Sequence, residues 1–209
     1  MIYLKRIKQG SSEAKLEELV KLRTLAGADK NEIDKRIWDM FGGHYCVMFT
    51  DLSGFSRNVA QFGIIHFLQT IYQSESILAP IIDENDGLVL KCDGDSLLIV
   101  FRDVPQAITA AVAMQRKLKT FNMDKSQEEK VLLCVGLGYG PMLRIGDSDI
   151  FGAEVNAASK LGEDVAEAGQ ILVTENVCQR AGNMPDISFE KAARAPAWMG
   201  RAYEMKYIA

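Results

Sequence analysis

The chain is poor in the residues that most often build metal centres and covalent frameworks. It holds two histidines, His44 and His66, in 209 residues, which excludes a His-rich zinc site. Its four cysteines (Cys46, Cys92, Cys134, Cys178) are scattered with no C-x-x-C pair. Three lie inside apolar stretches, where a thiol behaves as a small hydrophobe, so no disulfide framework is expected. No apolar run is long enough to cross a bilayer; LLIVF at 97–101 is typical. The opening MIYLKRIKQGSSEAK has no apolar h-region or small-residue cleavage site, so the cytoplasm is the expected compartment, with no membrane partner. Positive charge is not in excess either. The formal net charge is −4 and no basic stripe is present, which argues against a nucleic-acid binder. An acidic protein that handles a polyanion needs bound Mg²⁺ or a few directed Lys and Arg side chains.

What is present is an ordinary globular composition, 48% hydrophobic and 25% charged, at a length that suits one domain plus an appendage. Residues 1–42 read as helical. Ser11 is placed to cap a helix carrying Leu16, Leu19 and Val20 on one face. Asp29 and Glu32 form a D-x-x-E pair ahead of Ile33, Ile37 and Phe41. Such a hairpin either packs on the main domain or serves dimerisation or signal relay.

From His44 the pattern changes. HYCVMFTD (44–51) predicts a buried strand ending at Asp51, and an amphipathic helix follows over roughly 56–83, kinked or terminated at Pro80. GLVLKCDGDSLLIVF (87–101) carries two apolar runs around Asp93-Gly94-Asp95, a hairpin signal. A helix is expected over 104–121, with Ala107, Ala110, Ala111, Met114 and Leu118 inward, and a buried strand over 130–140. Helix 153–167, strand 170–174, helix 174–181 and strand 201–208 complete the chain. The β-α-β-β-α-β order over 44–140 predicts an α/β (α+β) fold of ferredoxin-like type, a sheet with helices on one face.

Two carboxylates stand out. Asp51 ends a strand at a Ser-Gly turn, and Asp95 occupies the hairpin tip 44 positions later. The first two strands are expected side by side, which would bring the carboxylates together as a hard-oxygen site for Mg²⁺ or Mn²⁺. Taken singly, each fits a plain cap or turn role; together they favour a site. Ser53-Gly54-Phe55 offers backbone N–H groups at a helix start, a seat for phosphate. Gly136-x-Gly138-x-Gly140 is no dinucleotide fingerprint, because Pro141 and no helix follow; it reads as a strand ending in a tight turn. Asp93-Gly94-Asp95 lacks the spacing and distal Glu of an EF-hand.

FTDLSGFS (49–56), K-x-x-G-D (91–95) and DIFGAEVNAASK (149–160) resemble, in order and spacing, three motifs of the class III nucleotidyl cyclases, the adenylate/guanylate cyclase catalytic domains. The likeness covers roughly 45–208, which divides the chain into a helical segment over 1–42 and a cyclase domain over 43–209. It implies a palm-type βαββαβ core paired head to tail as a homodimer, with the active sites at the interface. One subunit would supply the metal ligands, Asp51 and Asp95, for two Mg²⁺ or Mn²⁺. The other would supply Lys91 and Asp149 to read the base, and Asn156 and Lys160 to orient the ribose and stabilise the transition state. Lysine only donates and an ionised aspartate only accepts, which matches N1 and the amine of adenine and mismatches guanine, so ATP is the expected substrate. The family motif ends in Arg where this chain has Lys160, which keeps the charge without the planar fork. That departure sustains a second reading, a weak or inactive cyclase-homology module that binds nucleotide or dimerises. Another palm-type nucleotidyl transferase would leave Lys91 and Asp149 without a role. The C-terminal phosphate-binding lysine of the family has no clear match, with Arg201 and Lys206 as candidates.

Overall fold

The structure, a computed structural model, describes residues 10–54 and 62–208. Two helices come first, α1 (Ser12–Arg23) and α2 (Lys30–Phe41). Ser11 Oγ accepts the Ala14 N–H, and Asp29 Oδ1 accepts the Glu32 N–H, so both start at the expected caps. Leu19, Ile37 and Phe41 pack with Ile145, but Val20 points to solvent at 47% exposure and does not join that face.

The rest builds one mixed sheet: β1 (Gly42–Leu52), β2 (Leu88–Asp93), β3 (Ser96–Phe101), β4 (Leu133–Ile145), β5 (Asp149–Phe151), β6 (Ile171–Thr174), β7 (Ile187–Lys191) and β8 (Ala202–Tyr207). Strand order is β2-β3-β1-β4-β6-β8-β7, with β5 folded back on β4. The βαββαβ core is the expected one, but β1 and β2 are not neighbours. The connection through α3 (Ile64–Glu84) skips a position, and β3 returns between them to pair antiparallel with both. Thr50 lies opposite Leu97, so Asp51 falls beside the start of β3, next to the hairpin tip.

Strand alternation sends Cys46, Met48, Ile99, Phe101, Val135 and Leu137 to one face, under α3 and α4 (Val104–Phe121). All five inward positions expected on α4 are buried. Pro80 is accommodated inside α3, two residues before its final residues Ile82–Glu84. The expectation of helices on one face fails. Val47, Leu98 and Val100 point to the other face and pack against Val155 and Ala158 of α5 (Ala153–Ser159). Nor is 153–167 one helix, because a π-helical turn takes over at Lys160–Val165.

Glycines make this second layer possible. β4 does not end at Gly140 but runs on to Ile145, and its three alternating glycines face α5. A Cβ on Gly136 would stand 2.1 Å from the Ala158 carbonyl oxygen and 2.4 Å from the Gly162 nitrogen. One on Gly138 would stand 2.4 Å from the Glu154 carbonyl oxygen. Backbone therefore lies directly on backbone. Glu154 fastens the layer, accepting the Tyr139 N–H at 3.1 Å, Thr174 Oγ1 at 2.7 Å and Asn176 Nδ2 at 2.7 Å. A last short helix, α6 (Glu175–Arg180), buries Val177 on the α4 side.

Candidate active site

Asp51 is the penultimate residue of β1 and half-buried. Asp95 follows Gly94 in the two-residue turn between β2 and β3; Gly94 takes φ +62°, the positive φ that a tight hairpin of this kind requires. Ser96 Oγ donates to Asp51 Oδ1 at 3.2 Å. Burial first, and then the Asp95 charge, pushes Asp51 up to about 6 against the Ser96 hydrogen bond. Asp95 is also raised, chiefly by burial, and its Oδ2 is shielded from solvent without a hydrogen-bond partner. Glu163, on the π-turn, adds negative charge that raises both.

A buried orphan oxygen beside a second carboxyl held high by burial and then by its neighbour's charge makes a crowded acidic pair. It fits a hard divalent cation, which would restore both carboxylates to the ionised form. Among the described residues no third His, Cys, Asp or Glu completes a protein cage. Mg²⁺ sites are commonly built from one or two carboxylates plus substrate phosphates and water, so this donor set suits it.

Lys91 and Asp149 come from strands on either side of the core and meet, Nζ to Oδ2, at 2.8 Å. A register shift between Val89 and Lys91 in β2 re-aims the lysine, and the Ile150 N–H at 2.8 Å fixes the other oxygen of Asp149. Asn156 is exposed on α5, and its side-chain amide has no partner among the described residues. Lys160, one turn later, is ion-paired with Asp164 at 2.9 Å. The Ser53–Gly54 turn follows Asp51, but the Ser53 N–H already donates to the Leu132 carbonyl at 2.8 Å, so it is not free for phosphate. Phe55 lies outside the described residues. Arg201 pairs with Glu175 at 3.3 Å and Lys206 with Glu204 at 2.5 Å; neither reaches another site residue within its own chain.

The sequence model of the adenylate and guanylate cyclase catalytic domain matches residues 42–208. The chain belongs to that family. The cyclase domain is 29% identical over 131 residues to the serine/threonine-protein kinase pkn2 of Myxococcus xanthus, covering 63% of this chain and 16% of that one. It is 26% identical over 147 residues to the adenylate cyclase of Anabaena cylindrica, covering 63% and 29%. It thus spans less than a third of the length of these curated relatives. The fold matches a solved adenylate/guanylate cyclase/hydrolase from Silicibacter pomeroyi, with TM-score 0.66, 23% identity, and coverage of 80% of this chain and 98% of that one. It also matches the adenylyl cyclase CyaB of P. aeruginosa, with TM-score 0.63, 19% identity, and coverage of 80% and 95%. The chain therefore carries a nucleotidyl cyclase catalytic domain. No helix among its described residues is long and apolar enough to cross a membrane.

Sequence reading missed Glu163, Ser96 and Glu154. Ser96 follows the second motif directly, and its hydroxyl was the available signal. The placement of Glu163 depends on the π-turn, for which the sequence carries no period.

Proposed function

We propose that this domain is an adenylate cyclase that converts ATP to 3′,5′-cyclic AMP and pyrophosphate in a head-to-tail homodimer, with two Mg²⁺ or Mn²⁺ at each site. The observation that carries the choice of base is the Lys91–Asp149 pair at 2.8 Å. It sets a donor-only group beside an acceptor-only group, the complement of adenine N1 and its exocyclic amine. Both side chains are partly exposed, so opening their mutual ion pair to admit a base costs little.

Sharing between subunits is supported by the surface around that pair. Strand β2 is exposed along nearly its whole length, with Leu88 at 50% and Val89 at 46%, and Phe151 beside Asp149 is 50% exposed. An apolar edge strand of this kind calls for a covering partner. Asp51 and Asp95 would hold the cations, which supply Lewis acidity toward the ribose 3′-hydroxyl and the leaving pyrophosphate. The unpartnered Asn156 amide would orient the ribose, and Lys160 would offset charge on the α-phosphate. The Gly54 amide and Phe55 would complete the phosphate seat.

The test is purified protein with ATP or GTP and Mg²⁺ or Mn²⁺, with mass-spectrometric detection of cyclic nucleotide. ATP should be preferred, and Lys91→Ala should lower the ATP-over-GTP ratio of kcat/KM on the order of tenfold to a hundredfold. An unchanged ratio refutes the assignment of the pair. One observation favours a second reading, a nucleotide-binding module without turnover: the cation at 160 is already engaged by Asp164. Nucleotide binding without any cyclic product would select it.

A further inference from the structure

Behind the acidic pair, on the opposite face of the sheet, a cavity of about 400 Å³ opens between the end of α4, the segment after it and the start of β4. That volume falls within the roughly 300–1,000 Å³ of small-molecule sites. Its floor is apolar, from Leu118, Val131 and Leu133, all buried. Its mouth carries Arg116, Lys119 and Lys130, and among the described residues no Asp or Glu lines it.

None of these three cations is ion-paired among the described residues, although the chain as a whole is acidic. Lys130 Nζ meets only the Gln127 amide oxygen, and Arg116 donates to the Ile208 carbonyl at 2.5 and 3.2 Å, which pins its guanidinium beside Tyr207. The negative end of α4 accounts for a cation at Lys119, but not for Lys130 on the facing wall. The deeper polar groups are already satisfied. Asn122 exchanges two hydrogen bonds with Val131, and Gln115 donates to the Leu133 carbonyl at 3.0 Å. A ligand would therefore meet hydrocarbon inside and positive charge at the rim.

We infer that this cavity is a binding site for a small amphipathic organic anion, with an apolar body on Leu118, Val131 and Leu133 and a carboxylate or phosphate head among Arg116, Lys119 and Lys130. The site touches the catalytic edge from behind. Leu132, on its wall, holds the Ser53 N–H at 2.8 Å, two residues from Asp51.

Isothermal titration of the purified full chain with octanoate, octyl phosphate, 1-octanol and inorganic phosphate tests this without reference to catalysis. One or both amphiphilic anions should bind saturably, and which of them binds identifies the head group. Octanol and inorganic phosphate should each bind at least tenfold more weakly. Lys119→Gln with Lys130→Gln should weaken the anion by about tenfold. Met123→Glu, a change at a surface position of the mouth, should do the same. Octanol binding as well as octanoate, no saturation by either anion below about 10 mM, or affinity untouched by these substitutions would each overturn the site.

Discussion

At the scale of single residues, Asp51 links charge and stability to the proposed cation site. An unfolded chain releases this proton near its ordinary value of 3.8, whereas the folded protein keeps it up to about 6. The folded state thus binds the extra proton between those values, and stability falls as pH rises through the window and stays lower above it. Asp51→Asn removes the loss. Its Tm is expected above that of the parent at pH 7.5, with the difference closing toward pH 4. Mn²⁺ should raise the Tm of the parent at pH 7.5, lose that effect by pH 5, and do little for Asp51→Asn or Asp95→Asn. Cation stabilisation that survives both substitutions would move the site elsewhere. Turnover should vanish in Asp51→Ala and Asp95→Ala with circular dichroism unchanged. At position 160 the ammonium gives one charge-assisted hydrogen bond where a guanidinium gives two. Lys160→Arg is expected to raise kcat roughly tenfold or more with little change in KM; equal kcat values would show that this position does not limit the reaction.

At the scale of elements, the close seating of α5 and the π-turn on β4 is the most demanding contact in the fold. Gly136→Ala and Gly138→Ala each push a methyl into backbone, which cannot swing aside as a side chain can. Each should cost about 1–3 kcal/mol or more in a urea titration and lower activity by displacing Asn156 and Lys160. Urea midpoints matching the parent would mean that the layer is looser than these separations imply. Much of the fold could be read in advance where one periodicity acted alone. The apolar and aromatic run at 44–51, the Gly94 hairpin and the small inward face of α4 all fall where their patterns put them. The second layer could not, because small residues carry little hydrophobic signal. Alanines on α5 and glycines on β4 read as a helix and a strand-ending turn, although the alternation of the glycines was the mark of close approach. The site divides the same way. Motif spacing indicated Asp51, Asp95, Lys91 and Asp149 one by one, whereas the Lys160–Asp164 pair and the reach of Glu163 follow from the π-turn.

At the scale of the whole molecule, the head-to-tail pairing proposed above would draw each site from two subunits. A mixture of Asp51→Ala and Asn156→Ala proteins, each inactive alone, should therefore recover activity, since one site of the mixed dimer is intact and the other carries both lesions. The ceiling is about half the parent rate per mixed dimer, and subunit exchange is checked by pull-down of differently tagged chains. Exchange without recovery would place all site residues within one subunit.

The N-terminal hairpin has a mechanical consequence. Its first helix grips the β4–β5 turn: Glu13 accepts from Ser148 Oγ at 2.6 Å, and Ser12 lies against Gly146. Ser148 is the neighbour of Asp149, and Asp149 holds Lys91. The helix is thus tied, through one hydrogen bond, to the residue beside the group that would read the base. A displacement of α1 would reach that residue without first crossing the sheet.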